Sequence, residues 1–313
     1  MSPYEDEREV VFMMTEACNS NCIMCPMSSD QRRRGIALTE EEAKSVMDAI
    51  DGLTEHIDIT GGEPFLNAEL VLDSMRQLNE RWPQIPVQVL TNGRALCIPR
   101  IQSELAPLLT SRYRFAIPLH AGSAALHDAI TQAPGSFEQT MRGIEFLSGE
   151  PVQIEIRVVG HRENLEHLNE LCDTLLGSGL RISVVNFIAM EMNGSAARNR
   201  ERLWVDYRTF FEAAKPVIRR LVHAGIDVGL YDFPLCAVGK AYWPLAMKSI
   251  SEWKVRYPQA CNACDEKRAC GGLFRSTFLL GLFPVHPICQ AKEAEAALDA
   301  RRTPPILCHI KDE

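Results

Sequence analysis

The sequence contains neither an apolar run long enough to cross a membrane nor an excess of positive charge. A membrane-spanning helix needs about 20 consecutive apolar residues, and no stretch of the 313-residue chain approaches that length. Lys and Arg number 33 against 41 Asp and Glu, for a net charge of -8. Because nucleic acids select basic surfaces, this balance argues against them as partners. The one basic run, residues 32–34, is interpreted as a solvated loop, with a clamp on an acidic peptide or a phosphate as the alternative.

The chain also lacks the start of a secreted protein. Residues 1–9 are acidic and have neither the basic start nor the apolar core of a signal peptide. Eleven cysteines without a secretion signal predict reduced thiols and metal ligands, not a disulfide framework. We therefore expect a cytoplasmic protein.

What the sequence does contain is a dense group of thiols near its start. Cys18, Cys22 and Cys25 lie within eight residues, with gaps of three and two residues between them. Thiolates at this density bind soft metals, whereas a structural zinc site usually takes four protein ligands in two separated pairs. Three thiolates can hold three irons of a [4Fe-4S] cluster and leave the fourth iron open to a small molecule. The spacing therefore predicts an iron–sulfur cluster with one open iron.

A second motif follows the strand-like segment 56–60 and consists of Gly61, Gly62, Glu63 and Pro64. The cysteine triad and this motif, in register, resemble the radical S-adenosylmethionine (SAM) superfamily. The resemblance implies that the open iron chelates SAM and that the second motif lies at the cofactor site. It also implies that one electron from the cluster cleaves SAM to a 5'-deoxyadenosyl radical, which abstracts hydrogen from a substrate. Met24 departs from the family, where the residue before the third cysteine is commonly aromatic.

Strand-like and helix-like segments alternate from residue 9 to about residue 224, which predicts an α/β fold with a parallel sheet and helices outside. Six strands are predicted, at residues 9–15, 56–60, 87–91, 113–119, 152–159 and 181–188. A full barrel needs eight strands. The resemblance implies an open, partial (βα)6 barrel, and the count agrees with it.

Polar residues near the carboxyl ends of these strands are candidates for the SAM pocket. Alternation along 152–158 places Arg157 in the barrel lumen, suited to a SAM or substrate carboxylate. An internal ion pair with Glu155 explains it equally well. By resemblance to the family, three further residues are assigned to the pocket, namely Asn92, His120 and Glu191. A plain turn is the alternative for Asn92 and a loop contact for Glu191. No catalytic residue is assigned.

A second cysteine group begins where the alternation stops, and it comprises Cys236, Cys261, Cys264 and Cys270. Four soft donors with a close pair predict a metal site, and zinc is its simplest occupant. The group resembles the twitch and SPASM extensions of radical SAM enzymes, which carry auxiliary iron–sulfur clusters. This implies one auxiliary [4Fe-4S] cluster, because Phe274 replaces a further cysteine of the full SPASM pattern. Cys289 is the rival of Cys236 as fourth ligand, and Cys308 is expected to be free. We assign residues 1–230 to the barrel domain and 231–313 to the extension.

Longer strings resemble the C-type partner of the His-Xaa-Ser system radical SAM maturases, at residues 89–95, 134–138, 156–161 and 249–254. The resemblance implies modification of a small, ribosomally made precursor peptide. A reductase, flavodoxin or ferredoxin would donate the electrons. Only nine residues precede Val10, so no leader-binding segment is expected ahead of it. A second maturase, a separate leader-binding protein or the barrel surface would hold the leader.

Two other functions share the same motifs. The first is a radical SAM dehydrogenase or rearrangement enzyme that acts on a small molecule. The second is a non-catalytic iron–sulfur subunit of a maturase pair, against which the intact cysteine triad and the motif at 61–64 argue.

Overall fold

The computed structural model describes residues 8–250 and 252–289. Its strands are β1 (Glu9–Met13), β2 (His56–Thr60), β3 (Val87–Leu90), β4 (Tyr113–Pro118), β5 (Gln153–Gly160), β6 (Val184–Ala189), β7 (Asp227–Tyr231), β8 (Ala246–Met247), β9 (Val255–Arg256) and β10 (Leu273–Phe274). Its α-helices are α1 (Ser29–Arg34), α2 (Glu40–Asp48), α3 (Ala68–Arg81), α4 (Pro99–Leu105), α5 (Ala124–Thr131), α6 (Ser136–Ser148), α7 (Arg162–Leu165), α8 (Leu168–Gly177), α9 (Gly194–Arg198), α10 (Arg200–Leu203), α11 (Tyr207–His223) and α12 (Arg275–Leu280).

Strands β1 to β8 form one open sheet in chain order, and every neighbouring pair is parallel. The predicted α/β fold is therefore confirmed, and the sheet exceeds the predicted six strands by β7 and β8. Strand β7 was not predicted because Gly229, at its centre, interrupts the apolar pattern. The glycine is needed there, since a Cβ would come within 2.4 Å of Asn186 Oδ1. Strand β8 is too short for an alternating pattern to show.

The two faces of the sheet differ in polarity. Ile154 and Ile156 are fully buried on the helix-covered face. On the other face, Arg114 donates to Gln153 across β4 and β5 at 2.8 Å and lies 3.7 Å from Glu155. The predicted alternation along β5 is thus confirmed. The helices cover the apolar face with a continuous core, in which Cys172 of α8 is fully buried. Each large apolar side chain buried there contributes about 1.5–3 kcal/mol.

Beyond the parallel sheet, β9 and β10 form a short antiparallel pair next to α12. The boundary between domains 1–230 and 231–313 stays a prediction, although β8 extends the barrel sheet past residue 231. Cys308 lies outside the described residues. In residues 8–250 and 252–289, no helix combines the length and the apolarity that a membrane span requires.

Candidate functional site

The loop after β2 packs directly on the chain that leads into the cysteine triad. Gly62 N–H donates to the carbonyl oxygen of Thr15 at 2.6 Å, and Glu63 N–H to that of Ala17 at 2.8 Å. A Cβ on Gly61 would lie 2.5 Å from the Thr15 oxygen, and one on Gly62 would lie 2.3 Å from the Ala17 oxygen. Such distances are too short for any side chain, so the glycine pair is required by backbone contact.

The side chain of Glu63 is fully buried, and its hydrogen bonds connect this loop to the end of β3. Its Oε1 accepts hydrogen bonds from Phe65 N–H at 3.0 Å and from the Thr91 hydroxyl at 2.7 Å, and its Oε2 accepts one from Asn92 N–H at 2.7 Å. Burial raises the pKa of the Glu63 carboxyl, and the hydrogen bonds and Arg94 oppose that rise. The motif thus joins the ends of β1, β2 and β3 at one edge of the sheet. A direct contact of Gly61, Gly62, Glu63 or Pro64 with SAM remains a prediction.

Asn92 and Arg94 reach from the end of β3 to the cysteine loop. Asn92 Nδ2 donates to Asn19 Oδ1 at 2.7 Å and lies 4.0 Å from the Cys18 sulfur. Arg94 Nη1 donates to the Asn19 carbonyl oxygen and, at 3.2 Å, to Ser20 Oγ. Asn92 thus contacts the cysteine loop, and its contact with SAM remains a prediction. Arg94 was missed, since nothing in the local pattern distinguishes it from a surface arginine.

Arg32 is buried inside the cysteine loop, so its interpretation as part of a solvated basic run was wrong. Its Nη1 donates to the Met27 carbonyl oxygen at 2.7 Å, and its Nη2 donates to Asn21 Oδ1 at 2.6 Å and Ser195 Oγ at 3.2 Å. Arg32 therefore fixes the cysteine loop and ties it to α9. Its neighbour Arg33 is exposed and pairs with Asp30.

Two thiols of the triad, Cys18 and Cys22, have a raised pKa. Burial, and then Cys18 and Cys25, raise the pKa of Cys22 to about 12. Burial is also the main cause that raises the pKa of Cys18, with Glu63 and Cys25 adding to it. Arg32 acts in the opposite direction on both thiols. Without a metal, Cys18 and Cys22 stay protonated at neutral pH, so metal binding at these two thiols releases protons. The donor set fits a thiolate-bound metal cluster.

A methionine-rich cluster shields the cysteine loop from solvent. Ile23 and Met24 pack with Ile130, Met190 and Met192, all buried, and Cys22 contacts the same cluster. Met24 thus lies in a buried apolar environment. The loop after β6 completes the enclosure.

Arg157 forms an ion pair with Glu155, with 2.6 Å between Nε and Oε1. Glu155 is fully buried, and Arg114 approaches its other oxygen at 3.7 Å. The structure thus shows the internal ion pair that sequence reasoning held as the alternative. A contact of Arg157 with a SAM carboxylate remains a prediction.

His120, at the end of β4, belongs to a buried group of three histidines. Its ring stacks on His127 at 5.9 Å between centroids and lies 6.5 Å from that of His161. Burial lowers the pKa of His120 well below its ordinary value and those of His127 and His161 to about 4. In the described part of the chain, His120 Nδ1 and both ring nitrogens of His161 have no hydrogen-bond partner. The group is neutral at physiological pH, and a contact of His120 with SAM remains a prediction.

Two acidic residues lie near the ends of β6 and β7. Glu191 is 3.7 Å from Lys254 Nζ, measured from Oε2. Asp232 adopts φ 66° and accepts a 2.7 Å hydrogen bond from Ser249 Oγ. Burial raises the pKa of Asp232 to about 6. Sequence reasoning missed Asp232 because strand β7 was itself not predicted. A contact of Glu191 with SAM remains a prediction.

The second cysteine group converges in the structure. A small cavity of about 20 Å³ is lined by Cys236, Cys261, Cys264 and Cys270. Backbone N–H groups point at two of the sulfurs: Gly272 donates to Cys270 and Ile288 to Cys264, both at 3.4 Å. Amide donors of this kind stabilise thiolates.

Burial raises the pKa of Cys261 to about 11, with Cys270 and Cys236 adding to the rise and Lys267 opposing it. Burial likewise raises the pKa of Cys236. Cys289 is exposed, and its thiol donates to the Ala263 carbonyl oxygen at 3.4 Å. The described cavity lining includes Cys236 and not Cys289.

Curated relatives match a little more than half of the chain. An AdoMet-dependent heme synthase of Oleidesulfovibrio alaskensis is 30% identical over 54% of this chain and 43% of its own. The subtilosin biosynthesis protein AlbA of Bacillus subtilis is 26% identical over 56% of this chain and 38% of its own. The mycofactocin maturase MftC of Mycolicibacterium smegmatis is 27% identical over 54% of this chain and 42% of its own. The chain thus spans less than half the length of these relatives.

Solved structures share the fold. Streptococcus suis SuiB bound to its precursor peptide SuiA matches with a TM-score of 0.56 and 14% identity, over 72% of this chain and 48% of that one. The structure of anSMEcpe with bound AdoMet and the Kp18Cys peptide matches with a TM-score of 0.54 and 15% identity, over 71% of this chain and 63% of that one. The model of the Radical SAM superfamily matches residues 12–175, more than half of the chain. The protein therefore belongs to the radical SAM superfamily.

Proposed function

We propose that the chain holds a [4Fe-4S] cluster on Cys18, Cys22 and Cys25, binds SAM at it, and is a radical SAM enzyme that modifies a peptide. The observation that carries the proposal is the set of three adjacent, partly buried thiols on a loop fixed by the motif at 61–64. When bound, the cluster and SAM supply one-electron chemistry that abstracts hydrogen from a substrate.

The spacing of the sulfurs favours clusters over single zinc ions. Tetrahedral zinc with Zn–S bonds of about 2.3 Å brings its sulfurs to about 3.8 Å from one another. In residues 8–250 and 252–289, three possible ligand atoms of His, Cys, Asp or Glu lie within 4.8 Å of one another only at Glu9, His56 and Asp58. In both cysteine groups, the sulfurs are therefore spaced more widely than a single zinc ion requires. A cluster, whose irons and sulfides separate the thiolates, suits both groups better.

The chain's own residues orient the site and exclude water. Arg32 and Arg94 hold the cysteine loop by hydrogen bonds and place two cations beside it. The buried cluster of Met24, Met190 and Met192 removes water from one side of the loop. The fixed donors and the two cations favour metal-bound thiolates over protonated free thiols, which opposes the cost of burying negative charge.

A second [4Fe-4S] cluster is proposed on Cys236, Cys261, Cys264 and Cys270. The shared cavity and the N–H groups aimed at Cys264 and Cys270 support it. The cluster would accept the electron of the product radical or hold the substrate. Cys289 is the alternative ligand for Cys236.

A ribosomally made peptide is the proposed substrate class, with the His-Xaa-Ser type as its specific form. The similarity to a subtilosin biosynthesis protein, to a mycofactocin maturase and to the fold of SuiB supports this choice. A flavodoxin, ferredoxin or reductase would supply electrons in the cytoplasm. A second maturase or a leader-binding protein is the further partner proposed.

A second candidate function is a radical SAM reaction on a small molecule. The similarity to the AdoMet-dependent heme synthase, at 30% identity, favours it. The barrel site is the same for both functions, so the substrate decides between them.

Anaerobic reconstitution tests these proposals. We expect about eight irons per chain, four for each cluster, and 5'-deoxyadenosine formation with dithionite that is lost in a Cys18→Ala/Cys22→Ala/Cys25→Ala variant. Deoxyadenosine that increases with a His-Xaa-Ser peptide, and not with a panel of small molecules, supports the peptide substrate. About four irons with one zinc would contradict the second cluster. Wild type that yields no deoxyadenosine would assign the chain as a non-catalytic partner subunit.

A further inference from the structure

A cleft opens between the cysteine loop and the segment that carries β9, β10 and α12. Pro26 and Met27, which directly follow the third cysteine of the triad, line one wall. Trp253, Lys254 and Arg275 line the opposite wall, and the cleft has a volume of about 450 Å³. A chain held here would therefore pass beside the proposed cluster.

Two cations meet as cross-strand neighbours in this cleft. Phe274 pairs with Val255 in the antiparallel ladder of β9 and β10. The ladder continues one step further, because Arg275 N–H donates to the Lys254 carbonyl oxygen at 2.7 Å. Residues opposed in this way project to the same face, and like charges there repel each other. Lys254 and Arg275 both line the cleft, so two like charges lie next to each other on its wall.

One carboxylate offsets only part of this positive charge. Glu191 Oε2 lies 3.7 Å from Lys254 Nζ. Arg275 forms no ion pair with the described residues 8–250 and 252–289. The cleft thus carries one cation in excess, in a chain whose net charge is -8. A second carboxylate beside Arg275 would relieve the repulsion and form charge-assisted hydrogen bonds.

Apolar side chains flank the two cations. Trp253 is 50% exposed, and its ring lies 5.0 Å from Lys254 Nζ. Leu279, at the other side of the cleft, is 67% exposed. An exposed indole and leucine next to unbalanced charge are typical of a surface that binds a partner.

We propose that this cleft binds an acidic, apolar segment of the substrate peptide, with an Asp or Glu side chain at Arg275 and an apolar side chain between Trp253 and Leu279. The assignment rests on the proposed function, since it names the part of a peptide that this enzyme recognises. It also places the bound segment next to Pro26 and Met27, so the rest of the peptide can enter the barrel.

The test is fluorescence anisotropy with the anaerobically reconstituted protein and two fluorescein-labelled, C-terminally amidated peptides. One is Gly-Ser-Asp-Leu-Glu-Leu-Ser-Gly and the other carries Asn and Gln in place of Asp and Glu. We expect the acidic peptide to bind about tenfold more tightly, as one charge-assisted contact predicts. Arg275→Gln should abolish the difference, and Glu191→Gln should increase it because a competing carboxylate is removed. Arg76→Gln, at an exposed arginine of α3, is the matched control and should change nothing.

Equal binding of the two peptides, or an equal loss in Arg76→Gln, would overturn the assignment. So would a protein dimer that Arg275→Gln dissociates in sedimentation experiments, because a second copy would then occupy the cleft. Binding is measured without SAM cleavage, which separates the two proposals. A wild type that discriminates between the peptides but forms no deoxyadenosine contradicts the proposed function alone.

Discussion

The hydroxyl of Thr91 donates a 2.7 Å hydrogen bond to the buried carboxylate of Glu63. This bond joins the end of β3 to the loop after β2, and that loop in turn rests on the backbone of residues 15–17 through Gly61 and Gly62. The cysteine loop is thus supported by two neighbouring strands before any cofactor binds.

Glu63→Gln should destabilise the fold by about 1–3 kcal/mol, because one carboxylate oxygen becomes an NH2 group facing Asn92 N–H or the Thr91 hydroxyl. Urea unfolding of the anaerobic protein measures the free energy. Glu69→Gln is the control, since the Glu69 side chain is 88% exposed on α3. Equal stability of the two variants would contradict the bracing role.

Gly62→Ala should cost about 2–4 kcal/mol and lower the iron content, because its Cβ would lie 2.3 Å from the Ala17 oxygen. Thermal unfolding and iron analysis measure both effects. At Gly52 no atom lies within 4 Å of an added Cβ, so Gly52→Ala should behave as wild type. A Gly62→Ala protein with full iron content would remove the need for the close backbone contact.

Arg32→Gln should lower the iron retained on the first cluster and destabilise the protein by about 1–3 kcal/mol, since a buried cation with three hydrogen-bond partners is lost. Iron per chain after gel filtration is the measurement. Arg33→Gln removes an exposed arginine from the same helix and should have little effect. Matching losses in both variants would show that only the net charge of the helix matters.

Cys236→Ala should remove about four irons per chain, and Cys289→Ala should remove none. The reason is that Cys236 lines the shared cavity whereas Cys289 is exposed. Iron counting on the two variants side by side gives the answer. The opposite outcome would assign Cys289 as the fourth ligand.

The buried histidines should make the fold less stable as the pH falls from about 6.5 to about 4. The pKa values of His127 and His161 are lowered to about 4, so in this window the unfolded chain binds protons that the folded chain does not. Each histidine should contribute about 1.4 kcal/mol per pH unit.

Unfolding free energies of wild type and His161→Gln across that window check the histidine prediction. The variant should show the smaller slope, and His223→Gln, at an exposed position of α11, should keep the wild-type slope. Parallel slopes in all three proteins would rule out a contribution from His161.

The elements that were predicted and those that were missed differ in how local their signals are. Strands such as β2 and β5 carry clear alternation, and both were predicted. Strand β7 was missed because a glycine interrupts its apolar pattern. The burial of Arg32 was missed because its partners include Ser195, far along the chain.

The sequence by itself determined the family, the α/β fold and the loop that bears the cysteine triad. These follow from short-range signals: thiols a few residues apart share a loop, and period-two apolar runs separated by amphipathic helices form a parallel sheet. Only the tertiary structure decided which charges are buried, how Glu63 braces the site, and that Lys254 and Arg275 converge opposite Glu191. Those contacts join segments distant in sequence, and their geometry is set by packing, which no local pattern encodes.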